Sequence, residues 1–117
     1  MTHNRHLGQQ GEAAAEAFLQ RQGFEILDRN YRYRRAEVDL IAKKDKLLIL
    51  VEVKTRSTHA FGFPEEAVSA RKEEMLHLAA EHYLEKINWQ HEVRFDVISI
   101  LWRNHQPEIL HIEDAFH

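Results

Sequence analysis

Small and apolar residues recur at helical spacing near the start of the chain. Leu7, Gly11 and Phe18 fall on one face, and several alanines lie between them. This pattern predicts a helix over residues 7–22 that ends at Gly23, because glycine commonly follows the last turn of a helix. The alanine-rich surface suits close packing on a sheet.

A second helical pattern follows Ser69. Serine is a favourable N-cap residue, and we expect a helix from there to about Lys86. The residues expected to face the core are Val68, Met75, Leu76, Ala79 and Tyr83.

Five apolar runs bounded by turn residues predict strands. The second and third form a hairpin whose turn is residues 43–46, while residues 30–35 and 57–63 are connections. The order α-β-β-β-α-β-β favours an α/β or α+β fold with a mixed sheet, and we expect one domain over residues 1–117. The predicted strands are residues 24–28, 36–42, 47–56, 93–101 and 108–112.

Composition excludes several classes of protein. Hydrophobic residues make up 44% and charged residues 30% of 117 residues, a globular balance. The absence of cysteine excludes disulfides, thiolate zinc sites, iron–sulfur clusters and cysteine catalysis, and it fits a reducing cytoplasm. The longest apolar run, residues 47–51, is too short to span a membrane, and the first residues lack the apolar region of a signal peptide. We therefore expect a cytoplasmic protein without a membrane partner.

Charge is distributed unevenly along the chain. Residues 29–56 hold nine Lys or Arg and four Asp or Glu, which gives +5, whereas the rest of the chain carries −8. A basic block in an acidic protein points to an anionic partner. The alternative is a solvated charged surface.

Acidic and basic residues interrupt the two hairpin strands. Glu52 and Lys54 share a face of one strand, and Asp39 lies on the other. A symmetric turn around Asp45 pairs residue i with residue 89 − i, which places Asp39 opposite Leu50 and diagonal to Glu52. Diagonal side chains are about 7–8 Å apart, and two carboxylates at that distance can converge on Mg²⁺ or Mn²⁺.

A structural explanation of these charges stays open. Residues 47–53 are otherwise apolar, so the strand is expected to be buried, where charges are costly unless paired or bound to metal. Glu52, Lys54 and Asp39 could instead form a buried ion network. A strand end that emerges into water is the other alternative.

Seven short segments form a specific set. They are Gly11-Glu12, Asn30-Tyr31, Glu37-Val38-Asp39-Leu40-Ile41, Val51-Glu52-Val53-Lys54, Lys72, Arg94-Phe95-Asp96 and Ala115-Phe116. In this order they resemble the YraN family, small bacterial proteins regarded as candidate endonucleases. The resemblance covers nearly the whole chain. It implies a restriction-endonuclease-like α/β core, similar to archaeal Holliday-junction resolvases, with a mixed central sheet flanked by helices.

The resemblance implies roles for individual residues. Asp39 and Glu52 are the expected ligands of Mg²⁺ or Mn²⁺, and the backbone carbonyl of Val53 could add a ligand. Lys54 would orient the attacking water and stabilise charge on the phosphate. Glu12, on the first helix, would bind the metal through water. The expected catalytic residues are thus Asp39, Glu52, Lys54 and Glu12.

Two positions depart from the pattern that the resemblance implies. Val38 stands where the superfamily has proline, and Ala36 stands where YraN proteins usually have glycine. If position 36 needs a positive φ, alanine costs about 1 kcal/mol or more there. Neither change removes a chemical group.

Aromatic and basic residues alternate over residues 30–35. This pattern predicts a loop that contacts phosphates and stacks on bases, or else a solvated loop covered by tyrosines. The expected nucleic-acid-binding residues are Tyr31, Arg32, Arg34, Arg35, Arg56 and Lys72.

The nine histidines invite a zinc hypothesis. His77, Glu81 and His82 come within one residue of the inverted zinc-peptidase spacing. Histidines five positions apart do not share a helix face well, so we do not expect a zinc site here.

The favoured function is Mg²⁺- or Mn²⁺-dependent hydrolysis of DNA phosphodiester bonds, with branched or flapped DNA as candidate substrates. Two carboxylates and a lysine supply the groups that this chemistry needs. A resolvase must cut two strands symmetrically, which favours a homodimer. The alternatives are a nucleic-acid-binding module or scaffold with little or no activity, and a structural α/β protein with a buried ion network.

Overall fold

The computed structural model describes residues 2–56 and 69–116, without the side chains of residues 2–7. Its elements occur in the predicted order α-β-β-β-α-β-β. Val68 and the predicted loop over residues 57–63 lie outside the described residues. The elements are α1 (Thr2–Arg21), β1 (Glu25–Tyr33), β2 (Ala36–Lys44), β3 (Leu47–Arg56), α2 (Ala70–Ile87), β4 (Glu92–Arg103) and β5 (Gln106–Ile112).

The five strands form one mixed sheet between two helices. Their spatial order is β1-β2-β3-β4-β5, and only β3 and β4 run parallel, because α2 connects them. Leu19 of α1 packs in the core on one face, and Leu76 and Tyr83 of α2 pack in the core on the other. The predicted α/β class and mixed sheet are confirmed. No helix in the described ranges is long and apolar enough to cross a membrane.

The end of α1 and the start of α2 lie where local chemistry predicts, whereas α1 begins at Thr2 rather than at the predicted residue 7. Gly23 follows α1 with φ of 96°, a conformation that glycine adopts without steric cost. Ser69 caps α2, since its Oγ accepts from the N–H of Lys72 at 3.2 Å. Predicted core residues Leu76, Ala79 and Tyr83 are buried, and Met75 packs against them from a half-buried position.

Two predictions about the hairpins were wrong. β1 continues through Tyr33, so the predicted connection over residues 30–35 is mostly strand, and only Arg34 and Arg35 turn the chain. The next turn is Asp45 and Lys46 rather than four residues, because Asp45 adopts φ of 54° and closes a two-residue turn. Residue i of β2 therefore pairs with residue 91 − i of β3, not 89 − i.

Ala36 lies in β2 opposite Tyr33, and it is not among the described residues with positive φ. The departure from glycine at this position therefore brings no backbone strain.

Gly11 sets the distance between α1 and the sheet. A Cβ at this position would overlap the hydroxyl of Thr55 on β3. Only a residue without a side chain permits this approach. The contact fixes α1, and with it the neighbouring Glu12, close to the end of β3 that carries Thr55.

Asp96 anchors β5 and the C-terminal residues to the sheet. It is fully buried on β4 and accepts from Arg94 Nε at 2.8 Å, from His111 Nε2 at 2.7 Å and from the N–H of Asp114 at 3.1 Å. Although burial alone would raise it, these bonds hold the pKa of Asp96 below its usual value of 3.8. Every side of this carboxylate is thus satisfied by the fold itself.

Asp96→Asn is expected to lower the free energy of unfolding by about 3 kcal/mol or more at pH 7, because it leaves buried donors under-compensated. The contribution of Asp96 is present above pH 3.8 and is lost as the pH falls through the lowered pKa. The difference between the two proteins should therefore shrink on acidification, as measured by urea unfolding. Glu108→Gln, which breaks an exposed pair with Arg103, is the control and should cost less than about 1 kcal/mol. Equal losses in the two variants would contradict the anchoring role.

Candidate active site

Two carboxylates lie where the pairing of β2 and β3 ends. The last pair is Leu40 with Val51, so Asp39 and Glu52 are the next residues on neighbouring strands. The N–H of Val53 then donates to Oδ2 of Asp39 at 2.8 Å. The carboxylate of Asp39 thus takes the place of a backbone acceptor at the end of the ladder. Continuing the observed register would place Asp39 opposite Glu52, and not diagonal to it as in the predicted register.

The neighbouring strand changes face at the same level. Arg29 of β1 bonds Glu16 of α1, whereas Tyr31 packs against α2. Residues two apart on a regular strand share a face, so the chain turns over at Asn30, which has φ of 51°. The residues of β2 paired with Arg29 and Tyr31 divide between the two cores in the same way. The site therefore occupies an interruption of the regular sheet.

Glu52 is a buried carboxylate with only one satisfied oxygen. The residue is 6% exposed. Its Oε1 accepts from Nζ of Lys72 at 2.6 Å and lies 3.4 Å from Nζ of Lys54. Its Oε2 is buried without a hydrogen-bond partner in the described part of the chain. Such an atom costs about 1–3 kcal/mol, so it is suited to a cationic ligand.

The surroundings of Asp39 oppose its ionisation. Burial, and then repulsion from Glu52, raise the pKa of Asp39 from 3.8 to about 7, against the lowering effect of the Val53 N–H. Among the described residues, no ion pair within 4.0 Å involves Asp39. The alternative of an ion network of Glu52, Lys54 and Asp39 is therefore met only in part, since Lys72 takes the place of Asp39.

The two lysines differ in their electrostatics. Burial, and then the positive charge of Lys72, lower the pKa of Lys54 despite its attraction to Glu52. Burial opposes the charge of Lys72 as well, but the hydrogen bond to Glu52 raises the pKa of that lysine. Lys72 therefore retains its proton more strongly, and Lys54 releases its proton more readily.

Glu12 lies near these groups without joining them. Burial, and then the charge of Glu37, raise the pKa of Glu12, while a hydrogen bond with Asn30 lowers it. Glu52 raises it further, which places Glu12 within electrostatic reach of the site. Among the side chains that the structure describes, however, no three of His, Asp or Glu are grouped as metal ligands.

The donor set fits a hard divalent cation with an open coordination sphere. Asp39 and the unpartnered Oε2 of Glu52 supply carboxylate oxygens on neighbouring strands. Mg²⁺ is commonly bound through one or two carboxylates and keeps several waters. These two residues could hold such an ion. Metal ligation by Glu12 and by the carbonyl of Val53 stays a prediction.

Some of the predicted nucleic-acid-binding residues are exposed, and others are buried or bonded within the fold. Tyr31 is 9% exposed and packs against His82 and Tyr83 of α2, which leaves little of its ring accessible to a base. Arg32 pairs with Glu37 across the hairpin at 3.2 Å. Arg34 and Arg35 are exposed in the turn after β1, Arg56 ends β3, and Lys72 bonds Glu52.

The two histidines of the zinc hypothesis contact different residues. His77 packs against Phe95, and His82 stacks on Tyr33 and bonds the hydroxyl of Tyr31. Both rings serve the packing of α2 on the sheet.

Two contributions were missed by sequence reasoning. Asn30 was recognised only as part of a motif, although asparagine's tolerance of positive φ could have indicated the change of face. Lys72 was expected at phosphate rather than on Glu52. Its position three residues after the Ser69 cap directs it from the first turn of α2, but the sequence does not reveal which strand that turn faces.

Known proteins with similar sequences agree along the whole chain. A UPF0102 protein of Christiangramia forsetii is 45% identical over 116 residues, covering 99% of this chain and 98% of its own. UPF0102 protein Cpha266_0037 of Chlorobium phaeobacteroides is 46% identical over 112 residues, covering 95% and 88%. UPF0102 protein FP2501 of Flavobacterium psychrophilum is 38% identical over 117 residues, covering 100% and 98%. The model of Uncharacterised protein family UPF0102 matches residues 11–100. The chain belongs to this family, which is the YraN family that the sequence motifs indicate.

Proposed function

We propose that this protein is a Mg²⁺- or Mn²⁺-dependent endonuclease that hydrolyses phosphodiester bonds of DNA. The observation that carries the proposal is the buried Oε2 of Glu52 beside Asp39, to which no residue in the described part of the chain donates a hydrogen bond. The charge of Glu52 raises the pKa of Asp39, as expected of neighbouring acids that repel each other unless a cation binds. The two lysines at the same point supply positive charge for an anionic substrate.

The residues have separate tasks in this proposal. Asp39 and Glu52 hold the ion, which when bound activates water and offsets the charge of the phosphate. Lys54 orients the attacking water, and its lowered pKa eases a transient loss of its proton. Lys72 keeps its charge and attracts the phosphate. Attack by water at phosphorus breaks one P–O bond and leaves a phosphate monoester and a hydroxyl group.

A nucleic-acid-binding module with little activity is the second candidate. The observation that favours it is that Glu12 does not group with Asp39 and Glu52 in the described residues. The two candidates differ in metal dependence: the module binds DNA equally in EDTA and in Mn²⁺ and cuts none. A cleavage assay over linear, flapped, four-way and single-stranded DNA, with and without Mn²⁺, separates them.

Asp39→Asn, Glu52→Gln and Lys54→Ala are each expected to lower the cleavage rate by at least about 100-fold, because each removes a group that acts in the transition state. DNA binding in EDTA should persist, which shows that the variants fold. Glu12→Gln should cost less, since an outer acid only orients water. The exposed Glu108→Gln is the control. Full activity in any of the first three variants removes that residue from the mechanism.

Asp39→Asn also separates a metal site from an ion network without a substrate. The pKa of Asp39 is about 7 in the fold and 3.8 ordinarily, so its favourable contribution is complete below pH 3.8 and is lost as the pH rises through 7. In EDTA at pH 8, the variant should be as stable as the unmutated protein or more stable, by at most about 4 kcal/mol. At pH 4 this advantage should disappear, as measured by urea unfolding.

The melting temperature in Mn²⁺ is a second test of the same variant. At ten times its Kd, a ligand of the native state adds about 1.4 kcal/mol, so Mn²⁺ should raise the melting temperature of the unmutated protein and of Glu108→Gln, but not of Asp39→Asn. A loss of about 3–5 kcal/mol in Asp39→Asn under EDTA, with no Mn²⁺ shift in the unmutated protein, would overturn the metal site and assign Asp39 a structural role instead.

Arg34 and Arg35 are expected to contact DNA phosphates. Their joint replacement by Gln should reduce the slope of log K against log salt by about two contacts, in titrations of duplex DNA in EDTA. Lys44 and Lys46, at the opposite end of β2, give a control double variant of equal charge. An equal change of slope in both double variants would indicate a nonspecific effect of net charge.

A further inference from the structure

A cleft opens between the β1–β2 turn and the first turns of α2. Its volume is about 320 Å³. The hairpin contributes Arg35 and Glu37 to its lining, and α2 contributes Arg71 and Lys72. Ligand pockets in proteins range from about 300 to 1,000 Å³, so this cleft has the size for one small molecule or one residue of a polymer.

The cleft combines an apolar floor with a charged rim. Ala36 and Leu76 on the floor are buried core residues, and Met75 is half-buried against them. On the rim, Arg35 and Arg71 are exposed. The apolar floor would add no affinity for inorganic phosphate. The two arginines would add none for a purely hydrophobic ligand.

A nucleotide has the features that this lining would complement. The faces of its base are apolar, its phosphate is anionic, and its base edge carries N–H groups. Glu37 offers a carboxylate in the cleft lining, although its Oε2 already accepts from Arg32 at 3.2 Å. A carboxylate would repel phosphate but accepts hydrogen bonds from a base, which favours a ligand with both parts.

We propose that this cleft binds one unpaired DNA nucleotide, with its base against Met75 and Leu76 and its phosphate near Arg35 and Arg71. The inference rests on the proposed nuclease function through Lys72, which lines the cleft and donates to Glu52 at 2.6 Å. A nucleotide held here adjoins the candidate cleavage point. Because a base must leave the duplex to enter such a pocket, the preferred substrates are DNAs with an unpaired nucleotide at the cut.

The test measures binding to three labelled DNAs in EDTA by fluorescence anisotropy. One DNA is a duplex with a single unpaired nucleotide, the second has an abasic residue at that position, and the third is fully paired. The unpaired base should bind about tenfold more tightly than either control, the effect of burying roughly 60 Å² of apolar base surface. Arg35→Gln should reduce the preference over the paired duplex severalfold. Arg34→Gln, on the same turn but outside the cleft lining, should weaken binding to all three DNAs alike and so leave the preference unchanged.

Equal affinity for the base and the abasic residue would overturn the inference, even if the protein cuts paired DNA and the proposed function stands. Equal effects of Arg35→Gln and Arg34→Gln on the preference would also overturn it. A preference for the unpaired base, lost only in Arg35→Gln, supports the cleft. If Mn²⁺ then produces no cleavage of any DNA, the nucleotide site stands and the nuclease proposal fails.

Discussion

Burial of the Glu52 carboxylate in β3, the central strand, governs the arrangement around it. A charge in this position is costly unless it is paired. The described residues pair with only one of the two carboxylate oxygens. Lys54 on the same strand and Lys72 on α2 both approach Oε1, which ties the start of α2 to the sheet. The Ser69 cap fixes the first turn of that helix and hence the origin of Lys72. The second oxygen receives nothing from the described residues.

The interruption of the sheet makes this burial possible. A continued ladder between β2 and β3 would pair Asp39 directly with Glu52 through the backbone. Instead, the Asp39 side chain accepts the N–H of Val53. On the other side of β2, β1 changes face at Asn30. The side chain of Arg29 therefore contacts α1, and that of Tyr31 contacts α2. Gly11 brings α1 close to Thr55 of β3. The irregular backbone and the candidate site thus coincide.

Local signals predict much of this arrangement, and the parts that fail depend on long-range geometry. The order of elements, the Ser69 cap and the shared face of Glu52 and Lys54 follow from periodicity and capping. The register was wrong by two residues because the choice between a four-residue and a two-residue turn rests on Asp45 adopting positive φ. Tyr31 was assigned to DNA because aromatic and basic residues alternate there, but burial depends on α2, far along the sequence. Only the packed fold shows that Lys72 reaches Glu52.

Two buried carboxylate sites within one sheet show why the candidate site is read as functional. Asp96 receives bonds from Arg94, His111 and the backbone of Asp114, and its pKa is lowered accordingly. The fold is therefore able to satisfy a buried acid completely. At Asp39 it does the opposite, since burial and Glu52 raise the pKa to about 7. Acids whose ionisation is opposed by burial and by a neighbouring charge are enriched at sites that act on ligands. The contrast within one protein separates Asp96, whose charge the fold satisfies, from Asp39, whose charge it opposes, and it supports the proposal of a cation between Asp39 and Glu52.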